Sequence, residues 1–449
     1  MRRRLSPTER FLWAAGEVLP VNMAVIGRVH GRTTPALLRE ALSAARHRHP
    51  LLAVRIADPG PWRAWLTTDR VPDPELRVVK AATPDSWARI VEEELQQPFD
   101  IRLGPLTRFV LVEAGDSFDL VGIYHHLVAD GLSAAFVLRD LLRRIADPAA
   151  DMSPVVAAPA DDLLPDRRAG LGDLRAVARL LRGSGRAARA AGAGSQLAYT
   201  TWSLDAPETS ALLARCRAER TTVTAALSTA FARALAELGR HGPVGPVGRH
   251  VRHVRHVRHV RHVRHVRHVR HGQHSPHGPH GPVGIAVAAD LRRLLTPSPG
   301  EALGLYATSL LTTLDGAARH DPWEVARRAG ADIHRALRPE ELLPLVRIHR
   351  LLRYLPRATM SSLLGRSEAK RTVFDVSLSN MRVPVPTGYG PLRLTAVYAA
   401  AHTSLSGAPL VTVYGLDGRL FCSVTSTDGP HTAELCALAM SHLRAAISG

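Results

Sequence analysis

Residues 124–133 read Tyr124-His125-His126-Leu127-Val128-Ala129-Asp130-Gly131-Leu132-Ser133. An apolar run ends in two histidines, Asp-Gly follows four residues after the second, and a helical apolar stripe begins at once. This is a strand passing into a helix, a turn at which a rigid scaffold presents side chains to an opening. Histidine is the natural general base near neutral pH, and glycine tolerates backbone shapes and close approaches that other residues resist. His125 and His126 are adjacent on an extended chain and so point to opposite sides. That disfavours both ligating one ion and leaves one histidine for each role. Asp130 either points at a histidine or forms a buried salt bridge that fixes the loop. The plainer alternative is a polar pair that merely decorates the end of a strand.

Working outward, the helix expected over Leu132–Ile145 turns Ala135, Leu138, Leu141 and Leu142 inward. Before the motif, Leu106–Glu113 and Phe118–Tyr124 read as strands around Ala114-Gly115-Asp116, and Pro84–Leu95 as a helix. Further back, residues 34–48 place Leu37, Leu38, Ala41, Leu42 and Ala45 on one helical face with Pro35 near its start. Leu51–Ile56 and Trp62–Leu66 follow as expected strands. A stretch rich in Pro, Ala and Asp, Ala146–Leu164, marks a boundary, and Gly172–Ala190 reads as a basic helix on or near the crossing. In the second half, strands are expected at Thr200–Leu204, Val283–Ala289, Leu305–Leu314, Thr372–Leu378, Leu392–Tyr398, Leu410–Tyr414 and Leu420–Thr425. Helices are expected at Pro207–Ala218, Thr221–Leu238, Pro322–Leu337, Glu340–Leu364 and Thr432–Ile447, and Leu416-Asp417-Gly418 as a hairpin turn. Strands and helices mix in both halves without strict alternation, which gives an α+β class in two halves of similar kind. The divisions are 1–160, a crossing segment 161–198, and 199–449.

Composition narrows the class. The chain has 449 residues, 45% of them hydrophobic and 22% charged, which excludes collagenous, wholly disordered and disulfide-framework proteins. Three cysteines, far apart and without CxxC spacing, suit a reducing compartment and supply no structural zinc site. The apolar stretch 11–16 is too short for a signal peptide and is framed by Glu9 and Glu17, and no apolar run reaches the ~18 residues of a membrane span. A cytoplasmic protein is expected. The formal charge of +18 includes eight arginines of an Arg-His-Val repeat at 249–270, so +10 remains for the rest. No aromatic–basic interleaving accompanies it, and nucleic acid is not an expected partner. The tract 241–282 holds twelve of the 23 histidines and stands where a loop would. It reads as a disordered insertion rather than a metal centre, since no fixed geometry is implied.

The segment HHLVADG matches the HHxxxDG signature of the condensation-domain superfamily of CoA- and carrier-protein-dependent acyltransferases. The resemblance extends to LSPTERFLW at the start, LLREALSAARHRHPLLAVRI, Pro98-Phe99-Asp100 with Gly104-Pro105-Leu106, the Asp290-Leu291-Arg292 strand end, Gly304–Leu310 and Phe374–Asn380. The chain length and the closing VTVYGLDGRLFCSVTS are similar to free-standing polyketide-associated acyltransferases of the phthiocerol/phthiodiolone dimycocerosyl transferase type. The additional Tyr-Asp and His-Gln-Asp motifs of peptide-synthetase condensation domains have no convincing counterpart.

The resemblance implies two chloramphenicol-acetyltransferase-like subdomains in a V-shaped pseudo-dimer with the active site at their interface. It implies that His126 is the general base, that Asp130 pairs with Arg292 to pin the turn, that His125 supports the loop, and that Gly131 leaves room for a substrate channel. Ser377, Ser379 and Asn380 become candidates for contacts to an oxyanion or substrate, or else polar residues ending a strand. No metal and no bound cofactor is implied. The donor would be acyl-CoA or a phosphopantetheinyl carrier protein, and the acceptor a hydroxyl or amine of a lipid or natural product, acted on by a monomer. The alternatives are a free-standing peptide-synthetase condensation enzyme and a non-catalytic carrier-docking protein.

Overall fold

The computed structural model describes all residues except 61, 166–169, 176–185, 188–196, 239–280, 353, 373, 383–384, 403–407, 428 and 449, and only the backbone path of 186–187, 367–372 and 429–430. Nearly all of the histidine-rich insertion and most of the expected basic helix lie outside the described residues. Two six-stranded sheets organise the rest.

The first sheet runs in the order Gly388–Tyr389, Leu392–Ala401, Asn22–His30, Ser117–His125, Thr107–Ala114, Glu75–Lys80, antiparallel except for its last pair. The second runs Ala307–Leu314, Val283–Asp290, Val376–Arg382, Leu410–Leu416, Arg419–Ser426, Ala198–Leu204, with Val376–Arg382 parallel to both of its neighbours. Each sheet has its own apolar core. One assignment departs from the sequence division: Leu392–Ala401, placed in the second half by chain order, pairs along its length with Asn22–His30 of the first sheet.

Strand Asn22–His30 has no counterpart in the sequence reading. It is covered on both faces, so no apolar–polar alternation announces it. Gly27 lets the motif helix close on it, since a Cβ there would stand 2.8 Å from Leu138 Cδ1. On the other face, Asn22 Nδ2 donates to the carbonyls of Leu95 (3.0 Å) and Gln97 (2.7 Å) at the end of helix Ser86–Gln96. Helix Pro35–Arg48 is capped by Thr34 Oγ1, which accepts from the Leu37 N–H. It buries Leu38, Ala41, Leu42 and Ala45, while Leu37 is exposed.

Three expectations are corrected. Leu51–Ile56 is not one strand: Pro50 opens a 3-10 turn, Pro50–Ala53, and only Arg55–Ala57 is extended, pairing with Trp65–Thr67. The long helix expected over Glu340–Leu364 is three pieces, Pro339–Arg347, His349–Leu352 and Arg357–Lys370; Pro356, which lacks an amide hydrogen, stands directly before the last, whereas Pro344 lies within the first. Thr372–Leu378 divides into Arg371–Thr372 and Val376–Arg382, in different sheets. At the hairpin, Asp417 (φ 50°) and Gly418 (φ 72°) are both left-handed, the backbone of a type I′ turn.

Among the described residues, no helix is long and apolar enough to cross a membrane, and no group of three or more His, Cys, Asp or Glu could hold a metal ion.

Candidate active site

Strand Ser117–His125 delivers the two histidines to one end of the first sheet, and helix Gly131–Ala146 leaves from Asp130. The His126 amide donates to the Val21 carbonyl at 2.8 Å, so the turn is bound to the neighbouring strand's approach. The ring of His126 is half-buried, with Nδ1 2.8 Å from the Ala129 carbonyl oxygen. A carbonyl can only accept, so Nδ1 carries the hydrogen, and in the neutral ring Nε2 holds the lone pair.

His125 has the opposite arrangement. It is buried, and its Nδ1 accepts from the Leu127 amide at 3.1 Å. Burial, with a smaller contribution from the neighbouring His126, pushes its pKa down to about 4, so the ring is neutral near pH 7. His349 is half-buried, with Nδ1 3.0 Å from Thr8 Oγ1 and its ring stacked on Phe11, and desolvation lowers it also to about 4. An unfolded chain protonates both rings below their ordinary 6.5, whereas the folded chain resists until about 4. Their contribution to stability is therefore complete above pH 6.5 and is lost as pH falls toward 4. Urea midpoints measured across that window should decline, and His349→Gln should flatten the decline; identical profiles for the two proteins would refute this.

Asp130 touches neither histidine. It is buried and caps the motif helix: Oδ1 accepts from the Ser133 amide at 2.7 Å, and Ser133 Oγ accepts from the Asp130 amide at 3.1 Å, a reciprocal pair. Asp130 is also where the second lobe is held. Arg292 Nη2 donates to Oδ1 at 3.1 Å, the Tyr306 amide donates to Oδ2 at 2.8 Å, and the Asp130 amide donates to the Gly304 carbonyl at 3.0 Å. Ser133 Oγ adds a bond to the same carbonyl at 2.8 Å. Arg292, itself buried, divides its guanidinium between Asp130 and Asp290 and lies over the Tyr306 ring.

Gly131 is tightly packed against side chains of the second lobe. A Cβ there would stand 2.5 Å from Met381 Sδ and 2.7 Å from its Cε, with Tyr414 Oη at 3.1 Å. The space a side chain would fill there is taken by Met381, and Tyr414 Oη donates to the Gly131 carbonyl at 3.0 Å. Gly131→Ala should cost ~1–3 kcal/mol, the usual range for overpacking. Adding Met381→Ala should recover most of that loss in urea unfolding; equal midpoints for the single and double variants would contradict it.

Met381 also orients the other candidates. Side chains alternate along Val376–Arg382, and Val376 and Leu378 face the second core. Ser377, Ser379 and Met381 therefore share the opposite face, the one Met381 lays against Gly131. Ser377 is buried and Ser379 half-buried. Asn380 points away from the motif and donates to Thr224 Oγ1 at 3.1 Å, which separates it from the two serines.

The sequence reading missed Ser133, Gly304, Tyr306, Met381 and Tyr414. Ser133 was visible as the third residue after Asp130, the position of a reciprocal cap. Met381 was visible as the next residue in step with Ser377 and Ser379. The backbone groups of Gly304 and Tyr306 leave no side-chain signal.

Residues 19–145 match the family model described as Condensation domain. Over 148 residues the chain is 32% identical to phosphinothricin tripeptide synthetase PhsC of Streptomyces viridochromogenes, and over 129 residues 30% identical to nonribosomal peptide synthetase 5 of Gibberella zeae. These alignments span 30% and 28% of this chain but only 14% and 1% of those much longer proteins. Among solved structures, trichothecene 15-O-acetyltransferase TRI3 of Fusarium sporotrichioides superposes with a TM-score of 0.70 at 11% identity, covering 99% of this chain and 95% of that one. Polyketide synthase associated protein 5 of Mycobacterium tuberculosis gives 0.63 at 16% identity over 98% and 97%. The starter condensation domain of rhizomide synthetase, solved with C8-CoA and Leu-SNAC, gives 0.64 at 16% over 99% and 93%. Residues 19–145 thus carry the sequence pattern of a condensation domain, and over nearly its whole length the chain shares the two-lobed fold of these condensation-domain and acyltransferase structures.

Proposed function

We propose that the protein is an acyltransferase that moves an acyl group from a CoA or carrier-protein thioester to a hydroxyl or amine, with His126 as the general base. One observation carries the reading: the Ala129 carbonyl fixes the hydrogen of His126 on Nδ1, which leaves Nε2 as a basic lone pair on a half-buried ring. In the proposed step Nε2 takes the acceptor's proton as its oxygen or nitrogen bonds to the thioester carbon. The tetrahedral oxyanion then collapses, the C–S bond breaks, and the imidazolium returns the proton to the departing sulfur. A thioester already carries a good leaving group, so no covalent enzyme intermediate is required.

Ser377 and Ser379, on the strand face turned toward the motif, are the candidate oxyanion donors, and Asn380 is not. Asp130 acts structurally, since its partners are in the helix cap and the second lobe.

Localisation in the cytoplasm and action as a monomer belong to the same proposal. The second reading, condensation of two carrier-bound substrates, is favoured by the match of residues 19–145 to the Condensation domain model and by the 32% identity to a peptide synthetase over 148 residues. Incubating the full chain with acyl-CoA or acyl-carrier protein, together with alcohols or amines, tests both. Thiol release with a free small acceptor supports the first reading. Release only when donor and acceptor are both carrier-bound supports the second, and no release with any pair overturns both.

A further inference from the structure

The segment from Asp290 to Tyr306 reaches the motif helix at two places. One is Asp130. The other lies nine residues along, about 13 Å at the helical rise. There Arg139 donates Nη1 to Glu301 Oε1 at 2.6 Å and Nη2 to Glu301 Oε2 at 2.7 Å, a bidentate pair between the lobes.

The first-lobe side of this contact is a buried cluster of charges. Arg139 also donates Nε to Asp140 Oδ1 at 2.9 Å. Asp140, fully buried, accepts from Arg48 Nε at 2.7 Å and lies 2.9 Å from His49 Nε2. Arg48 Nη2 stands 3.5 Å from Glu301 Oε2, and the more exposed Arg143 approaches Asp140 at 3.9 Å. Within the first lobe, then, two buried guanidiniums share a single carboxylate. A buried charge without a partner is costly, and the second anion comes from the other lobe.

We infer that Glu301 is a positioning residue: its carboxylate neutralises the excess positive charge beneath the motif helix and so holds the 290–306 segment, with Arg292, Gly304 and Tyr306, against Asp130. Glu301 meets neither substrate nor His126 in this role; it acts through the segment that closes on the turn. The structural part of the inference stands on geometry, and its consequence for activity rests on the acyl-transfer reading.

Amide hydrogen exchange of the full chain tests it independently of any substrate. In E301Q the Asp130 and Tyr306 amides should exchange about tenfold faster, the factor expected when a charged hydrogen bond is lost. The Val121 and Val411 amides, inside the two sheets, should be unchanged. E301D keeps the charge and is expected to fold whatever the fate of E301Q, with an intermediate rate at the same two amides. Seam amides that exchange at the wild-type rate in these variants overturn the inference. A selective rise with a matching fall in kcat for thiol release, KM little altered, supports both the inference and the acyl-transfer reading. A selective rise in a protein that releases no thiol from any donor supports Glu301's role and overturns acyl transfer.

Discussion

His126→Ala should lower thiol release by ~10²–10⁴-fold, the contribution of a positioned general base, while the unfolding midpoint stays within about 1 kcal/mol of the parent's. The split follows from the ring's surroundings. Its hydrogen bond runs to the Ala129 carbonyl, and the ring is only half-buried, so alanine removes little packing and strands no charge. His125→Ala should do the reverse: it empties a buried site, frees the Leu127 amide and weakens folding through a ring that is already neutral near pH 7. Thiol release measured beside urea unfolding for both variants separates the roles. Equal thiol release by His126→Ala and the parent would remove the base from the mechanism.

Arg292→Ala should be the most destabilising single change, about 3–5 kcal/mol, because it leaves the Asp130 carboxylate buried without its cation. Lysine should not rescue it. Arg292 serves Asp130 through Nη2, Asp290 through Nη1 and the Gly300 carbonyl through Nε, three directions that one ammonium cannot reproduce. Asp130→Asn should cost less, since an amide oxygen can still cap Ser133. The double variant Asp130→Asn/Arg292→Ala should fall well short of the sum, as expected for residues in contact. Urea midpoints of the three proteins decide this; strictly additive losses would mean the pair is not coupled.

What could be read from sequence divides along physical lines. The strand–turn–helix of the motif was legible because its apolar stripe, Ala135, Leu138, Leu141 and Leu142, has the helical period and is all buried. The hairpin at Asp417-Gly418 was legible because its turn demands left-handed backbone at both positions. Strand Asn22–His30 was not, since burial on both faces removes alternation, and Glu75–Lys80 is a largely exposed edge strand with weak patterning. Nor does any local signal say that Leu392–Ala401 crosses to the other sheet, because its pairing partner lies more than 360 residues away. In the site, residue types were readable but their directions were less so. Asn380 and Ser379 are neighbours in sequence and lie on opposite faces of one strand, and the use of Gly131 as a seat for Met381 appears only when the lobes are together.

The crossing strand Leu392–Ala401 also bears on how the chain can be divided. A fragment cut at residue 160 would keep four strands of the first sheet but lose the cover on Asn22–His30, a long apolar row of unpaired amides and carbonyls of the kind that recruits foreign chains. The first half is thus not self-sufficient. Its last major strand is supplied from the far end of the polypeptide, and the scission points compatible with solubility lie where both sheets remain whole.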